Sequence, residues 1–185
     1  DFASMSPGRA AEVASLTILG NVEAELICRR NGAVPGDLVF VTGALGNSYE
    51  SGRHLSFEPR LAEGRFLAQN FYVNAMIDIS DGLLLDAQRL AKASGVSVML
   101  ELENIPVNPD ATLEQALGDG EDYELLFCVP ADKAEALRRE WPFETRLTSI
   151  GAIRKNPPGE ITAPNGENLN KRFKKGYEHE SESID

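Results

Sequence analysis

Asp78, Ser80 and Asp81 stand within four positions of one another in AMIDISDGLLLDA, residues 75–87, where a short apolar run gives way to helical spacing. Two carboxylates around a hydroxyl are hard oxygen donors, the set that suits Mg²⁺ when phosphate oxygens and water complete its shell. If residues 75–79 are a strand and 82–94 a helix, Asp78 closes the strand and Asp81 enters the first helical turn, so both carboxylates face one crevice. Strand carboxyl ends and helix amino ends are where phosphates and their metals gather, because free N–H groups and the positive end of the helix dipole point there. Gly82 lets the backbone come close to a ligand. The same residues serve equally as a helix cap beside a solvated aspartate. A calcium loop is excluded, since the twelfth position counted from Asp78 holds Arg89 where a glutamate is required.

Three further stretches carry polar groups in useful places. LGDGEDYELLF, residues 117–127, puts Asp119, Glu121 and Asp122 in a glycine-rich turn just ahead of an apolar run; solvated turn charges are the plainer account. VTGALGNS, residues 41–48, is neither a Walker loop nor a dinucleotide fingerprint, so its glycines point to tight packing. Arg30 could grip a phosphate through two N–H groups, although a surface role is as ordinary. The basic run Lys171, Arg172, Lys174 and Lys175 precedes Tyr177, whose ring face suits a heteroaromatic cation if the run is more than a solvated tail.

The elements that must position these groups follow from periodicity. Strands are expected at residues 14–23, at Leu38–Thr42, at 75–79, along VSVMLEL (96–102), along YELLFCV (123–129) and along RLTSIGAI (146–153). Helices are expected at 58–70, with Leu61, Phe66, Leu67 and Phe71 inward, and at 82–94, with Leu83, Leu84, Ala87, Leu90 and Ala91 inward and Gly95 as its stop. A third is expected along PADKAEALRREW, with Ala134, Leu137 and Trp141 inward. Irregular alternation favours an α/β sandwich, a mixed sheet with helices packed mainly on one face. Residues 1–170 read as one domain and 171–185 as an irregular charged tail.

A chain of 185 residues with 42% hydrophobic and 25% charged residues has the composition of an ordinary globular domain. A net charge of −11 argues against a nucleic-acid partner, which needs a basic face. No apolar run is long enough to cross a bilayer, so no membrane partner and a cytoplasmic setting are expected. Two distant cysteines, Cys28 and Cys128, and two histidines supply no zinc site.

In this order, PGDLVFVTGALGNS, IDISDGLLLDAQRLAKASG and GEDYELLF resemble the carboxyl-terminal half of thiamine-monophosphate kinase, in the superfamily named for aminoimidazole ribonucleotide synthetase. The resemblance spans most of residues 15–155. It implies transfer of the ATP γ-phosphoryl group to thiamine monophosphate, giving thiamine diphosphate, with Mg²⁺ in the site and no catalytic nucleophile on the protein. It implies Asp78, Asp81 and Asp1 as metal ligands, with Asp1 also at the nucleotide. Ser80 and Arg30 would contact ATP, and Glu121 and Tyr177 would contact the substrate. An amino-terminal domain that forms the family's homodimer is expected beyond this chain, which alone should not catalyse. Phe2, Ala3, Asp119 and Glu180 depart from the family pattern. They motivate the alternative of a non-catalytic nucleotide- or partner-binding module on the same scaffold.

Overall fold

The computed structural model describes residues 16–155, 157–173 and Gly176. Its strands are β1 (Leu38–Thr42), β2 (Ala75–Ile79), β3 (Ser97–Leu100), β4 (Glu124–Val129), β5 (Leu147–Arg154) and β6 (Ile161–Thr162). They form one sheet in the order β2-β4-β1-β5-β3-β6, antiparallel throughout except for the β3–β6 pair. The helices are α1 (Leu61–Asn70), α2 (Leu83–Ser94), α3 (Leu113–Gly118), α4 (Ala134–Glu140) and α5 (Leu169–Arg172). The expected mixed sheet with helices is what forms.

Alternation along the central strands divides the core in two. Val39 and Val41 of β1 and Leu126 and Cys128 of β4 join the larger apolar cluster, while Phe40, Phe127 and Val129 enter the smaller one on the other face. The larger cluster is closed by α2, whose Leu83, Leu84, Ala87, Leu90 and Ala91 are all buried as their spacing requires. A fully buried leucine contributes roughly 2 kcal/mol, so this stripe, more than any cap, fixes α2 on the sheet. Gly95 ends it in the left-handed conformation, at φ 71°, donating its N–H to the carbonyls of Ala91 and Lys92. Ala116 and Leu117 of α3 and Leu169 of α5 complete that side. The smaller cluster takes Leu67 of α1 with Ala134 and Leu137 of α4, and Trp141 packs against it.

Some expectations need correction. Residues 16–23 form no strand: Leu16, Ile18, Leu19 and Val22 are exposed, and an alternating segment without a neighbouring strand has no partner for its backbone groups. Leu61 opens α1 and is 78% exposed, while Glu63 takes the buried place in that first turn. Helix α3 was not expected. Past β5, Ile161 and Leu169 are buried and β6 pairs with β3. Cys128 is buried and Cys28 half-buried, and both are free thiols. Among the described residues no helix is long and apolar enough to cross a membrane.

Candidate functional site

The β2–α2 turn is held from beneath by a carboxylate that the sequence reading passed over. Asp86, one helical turn into α2, is fully buried and accepts the backbone N–H groups of Ser80 at 3.0 Å and Asp81 at 2.9 Å. Burial pushes its carboxyl pKa up, while the Asp81 N–H and the Arg89 guanidinium hold the rise in check and the Asp81 charge adds to it. Arg89 donates from one nitrogen to Asp86 at 2.8 Å and from the same nitrogen to Asp81.

Two glycines let a second turn close on this one. Gly82 has φ 117° and ψ 147°, a conformation open essentially to glycine, and a side chain there would meet the Gly118 carbonyl at 2.9 Å. Gly120 lies so near the Ser80 carbonyl that an added Cβ would stand 2.5 Å from it. The Glu121 and Tyr123 N–H groups then donate to the Ser80 and Ile79 carbonyls at 2.7 and 2.8 Å. Gly176 is buried against the Asp81 carbonyl, so it too packs on this turn.

The second turn is pinned from its other side. Asp122, buried, accepts the Gly46 N–H at 3.0 Å, the Ser48 hydroxyl at 2.5 Å and the Arg53 guanidinium at 2.6 Å. Burial raises its carboxyl pKa to about 6, against the pull of those donors, and the Glu124 charge adds to the rise. Glu124 is itself buried and accepts the Arg60 Nε and Nη2 N–H groups at 2.8 and 2.7 Å and the Thr42 hydroxyl at 2.6 Å. Asp119 accepts the Asn47 N–H at 3.3 Å, so it ties the β1–α1 loop to this turn.

Above these paired acids lies the mouth. Asp78 is exposed and, among the described residues, has neither an ion pair nor a side-chain hydrogen bond. Asp81 is 31% exposed with Arg89 on one oxygen. Half-buried Glu121 accepts the Tyr123 hydroxyl at 2.7 Å, and the Tyr123 ring stacks on Phe57 at 4.3 Å. That bond to Glu121 is the main reason the phenol is pushed up to about 12, burial comes next, and the charges of Asp78 and Asp81 add to the rise. Asp78, Ser80 and Asp81 share the β2–α2 turn, and the Glu121 N–H on the Ser80 carbonyl brings Glu121 beside it. Arg30 is not brought there: its carbonyl accepts the Ser94 hydroxyl at 3.3 Å, at the opposite end of α2. At 1.5 Å per residue that is about 18 Å from the turn. Asp1 and Tyr177 lie outside the described residues.

Residues 34–161 match the family model described as AIR synthase related protein, C-terminal domain. The chain belongs to this family. A thiamine-monophosphate kinase from Rhodopirellula baltica is 42% identical over 149 residues, covering 75% of this chain and 46% of that protein. The crystal structure of the thiamine-monophosphate kinase from Stenotrophomonas maltophilia superposes with a TM-score of 0.69 at 27% identity, over 80% of this chain and 55% of that one. AaThiL complexed with AMPPCP and TMP superposes with a TM-score of 0.64 at 29% identity, over 82% and 54%. The chain spans about half the length of such relatives. As a domain of the AIR synthase related family, it carries the whole turn cluster, from Gly46 through Asp78 and Asp81 to Glu124, inside the matched span.

The donor set at the mouth fits magnesium in part. Asp78 and Asp81 are unburied oxygen donors at the amino end of a helix, and magnesium commonly uses one or two carboxylates with phosphates and waters. Among the described residues no third carboxylate joins them in a closed cage. Asp86, Asp122 and Glu124 are engaged elsewhere. Asp86 and Glu124 escaped the sequence reading, and Asp122, expected as a solvated turn charge, is buried; each left a sign: an acid inside the buried run LLLDA with an arginine three positions on, and acids at the first residues of a buried strand.

Proposed function

We propose that the chain is the carboxyl-terminal domain of a thiamine-monophosphate kinase, which moves the γ-phosphoryl group of ATP onto thiamine monophosphate to give thiamine diphosphate, in the cytoplasm and with magnesium. The observation that carries this reading is the convergence of Asp78, Ser80, Asp81 and Glu121 on one interlocked pair of turns. Transfer between two phosphates needs no protein nucleophile, since the acceptor is already an oxyanion; the obstacle is bringing polyanions together in line. Magnesium would supply the positive charge, and Asp78 and Asp81 would hold it. The Ser80 hydroxyl, on a backbone fixed by Asp86, would donate to a nucleotide phosphate. Glu121, fixed by Tyr123, presents a carboxylate to the positively charged thiamine part. Asp1 would add a metal and nucleotide contact, Tyr177 a ring against the substrate, and Arg30 a nucleotide contact separate from the turn. An amino-terminal domain of the kind the resemblance implies would complete the acidic cluster and form a homodimer.

The test is thiamine diphosphate formation by the full-length protein with ATP and Mg²⁺. Turnover that requires both and fails in Asp78→Asn supports the kinase. ATP binding without turnover, unchanged by that substitution, favours the non-catalytic module instead.

A further inference from the structure

Three arginines neutralise the three buried acids of the site, and one of them is not fully committed. Arg53 and Arg60 each meet a carboxylate that is essentially solvent-free, Asp122 and Glu124. Arg89 is divided. Its partner Asp86 is buried to 1% exposure, while its other partner, Asp81, is 31% exposed and Arg89 itself 39% exposed. A single guanidinium nitrogen spans the two. The inner contact is anchored, because releasing it would strand a buried charge; the outer one is exchangeable, because both of its members can reach water.

We propose that Arg89 is a displaceable counter-ion for Asp81, a positioning residue that sets the affinity of the mouth for a divalent cation. The inference rests on the magnesium reading of Asp78 and Asp81. In the cation-free protein Arg89 offsets part of the charge of a mouth that contains Asp78, Asp81 and Glu121, and it occupies an oxygen of Asp81 that a cation needs. Binding then requires exchange: the cation takes Asp81, and the guanidinium retreats to Asp86, which keeps Ser80 and Asp81 backbone groups in place throughout. Arginine suits this task, because the one nitrogen that reaches both acids carries two N–H bonds, so one can stay on Asp86 while the other is released from Asp81. A site with such a counter-ion binds cations more weakly when empty of nucleotide, and binds them best when phosphate oxygens arrive with them.

The experiment is Mn²⁺ binding to the full-length protein without nucleotide, followed by electron paramagnetic resonance, in wild type, Arg89→Gln and Arg89→Lys. Removing a full positive charge beside the ion should tighten Mn²⁺ about three- to tenfold in Arg89→Gln, while Arg89→Lys stays within about twofold of wild type. Unchanged or weaker binding in Arg89→Gln overturns the proposal, since a purely structural arginine would loosen the site when removed. The unaltered protein gives an independent reading: the Arg89 side-chain N–H resonance should shift along the same titration curve as Mg²⁺ binding, and a stationary resonance also overturns it. Asp78→Asn and Asp81→Asn separate the two claims. If they abolish Mn²⁺ binding and Arg89→Gln leaves it unchanged, the Arg89 role falls and the metal site stands; if they leave binding intact, both fall.

Discussion

The inner and outer carboxylates of the site lie only a few residues apart in sequence, yet they are treated in opposite ways. Asp86, Asp122 and Glu124 are buried, and each has its own arginine together with backbone or hydroxyl donors. Asp78, Asp81 and Glu121 stand at the mouth with a tyrosine, a share of Arg89, and nothing more among the described residues. Burying a charge without a partner costs several kcal/mol, so the inner acids had to be matched for the chain to fold. The outer acids escape that requirement because water can reach them. Their surplus of negative charge on a rigid backbone is what a domain of this family can offer to an arriving cation. On the proposed reading the inner tier belongs to stability and the outer tier to function.

Substitutions should divide along that line. Arg60→Ala leaves Glu124 buried with only the Thr42 hydroxyl, and urea unfolding should show a loss of about 3–5 kcal/mol. A loss below about 1 kcal/mol would mean the inner pairs are not structural. Asp122 gives the next effect, through pH. Its folded pKa of about 6 lies above the ordinary 3.8, so between those values the native state holds the proton more tightly than the unfolded chain. The stability it confers is therefore complete below about pH 4 and is lost as pH rises through about 6, a swing of about 3 kcal/mol. Wild-type stability measured against Asp122→Asn should fall by about that amount from pH 4 to pH 7, since Asn stays neutral; a flat difference would contradict the assignment.

At the mouth the expectation reverses. Asp78→Asn and Asp81→Asn should leave unfolding free energy within about 0.5 kcal/mol of wild type, as exposed sites do. Thiamine diphosphate formation by the full-length protein should drop about a hundredfold or more. Large destabilisation with retained turnover would merge the two tiers. The smallest change lies outside both. Thr112→Ala removes the reciprocal cap in which Thr112 and Gln115 satisfy each other's backbone N–H at 3.2 and 3.0 Å, and should cost about 1 kcal/mol at α3 without touching the mouth.

How far these tiers could be read from residues alone depends on how local their causes are. β1, β2 and α2 were legible because periodicity, Gly95 and short apolar runs act within a few positions. So was the meeting of Asp78, Ser80 and Asp81, which one strand-to-helix turn produces. Helix α3 is only six residues long, too short for its periodicity to stand out, although Thr112-x-x-Gln115 is a readable start signal. The strand expected at 14–23 has the right alternation, but strand formation depends on a neighbour that alternation cannot specify, and residues 16–23 have none. The arginine assignments were the least legible. Arg53 and Arg60 reach their acids across 69 and 64 positions, and only the register of β4 beside β1 and β2 brings them together. Arg89 sits three residues from Asp86 and could have been noticed, since that spacing puts two side chains on one helix face.

In the proposed function the outer acids, not the buried ones, receive the cation. Anomalous diffraction from crystals of the full-length protein grown with Mn²⁺ and a non-hydrolysable ATP analogue tests it directly. A manganese peak within bonding distance of Asp78 and Asp81 carboxylate oxygens, with Asp86, Asp122 and Glu124 still on their arginines, is the expected result. Manganese held by one of those three buried carboxylates, or an ordered nucleotide with no metal at Asp78 and Asp81, would contradict it.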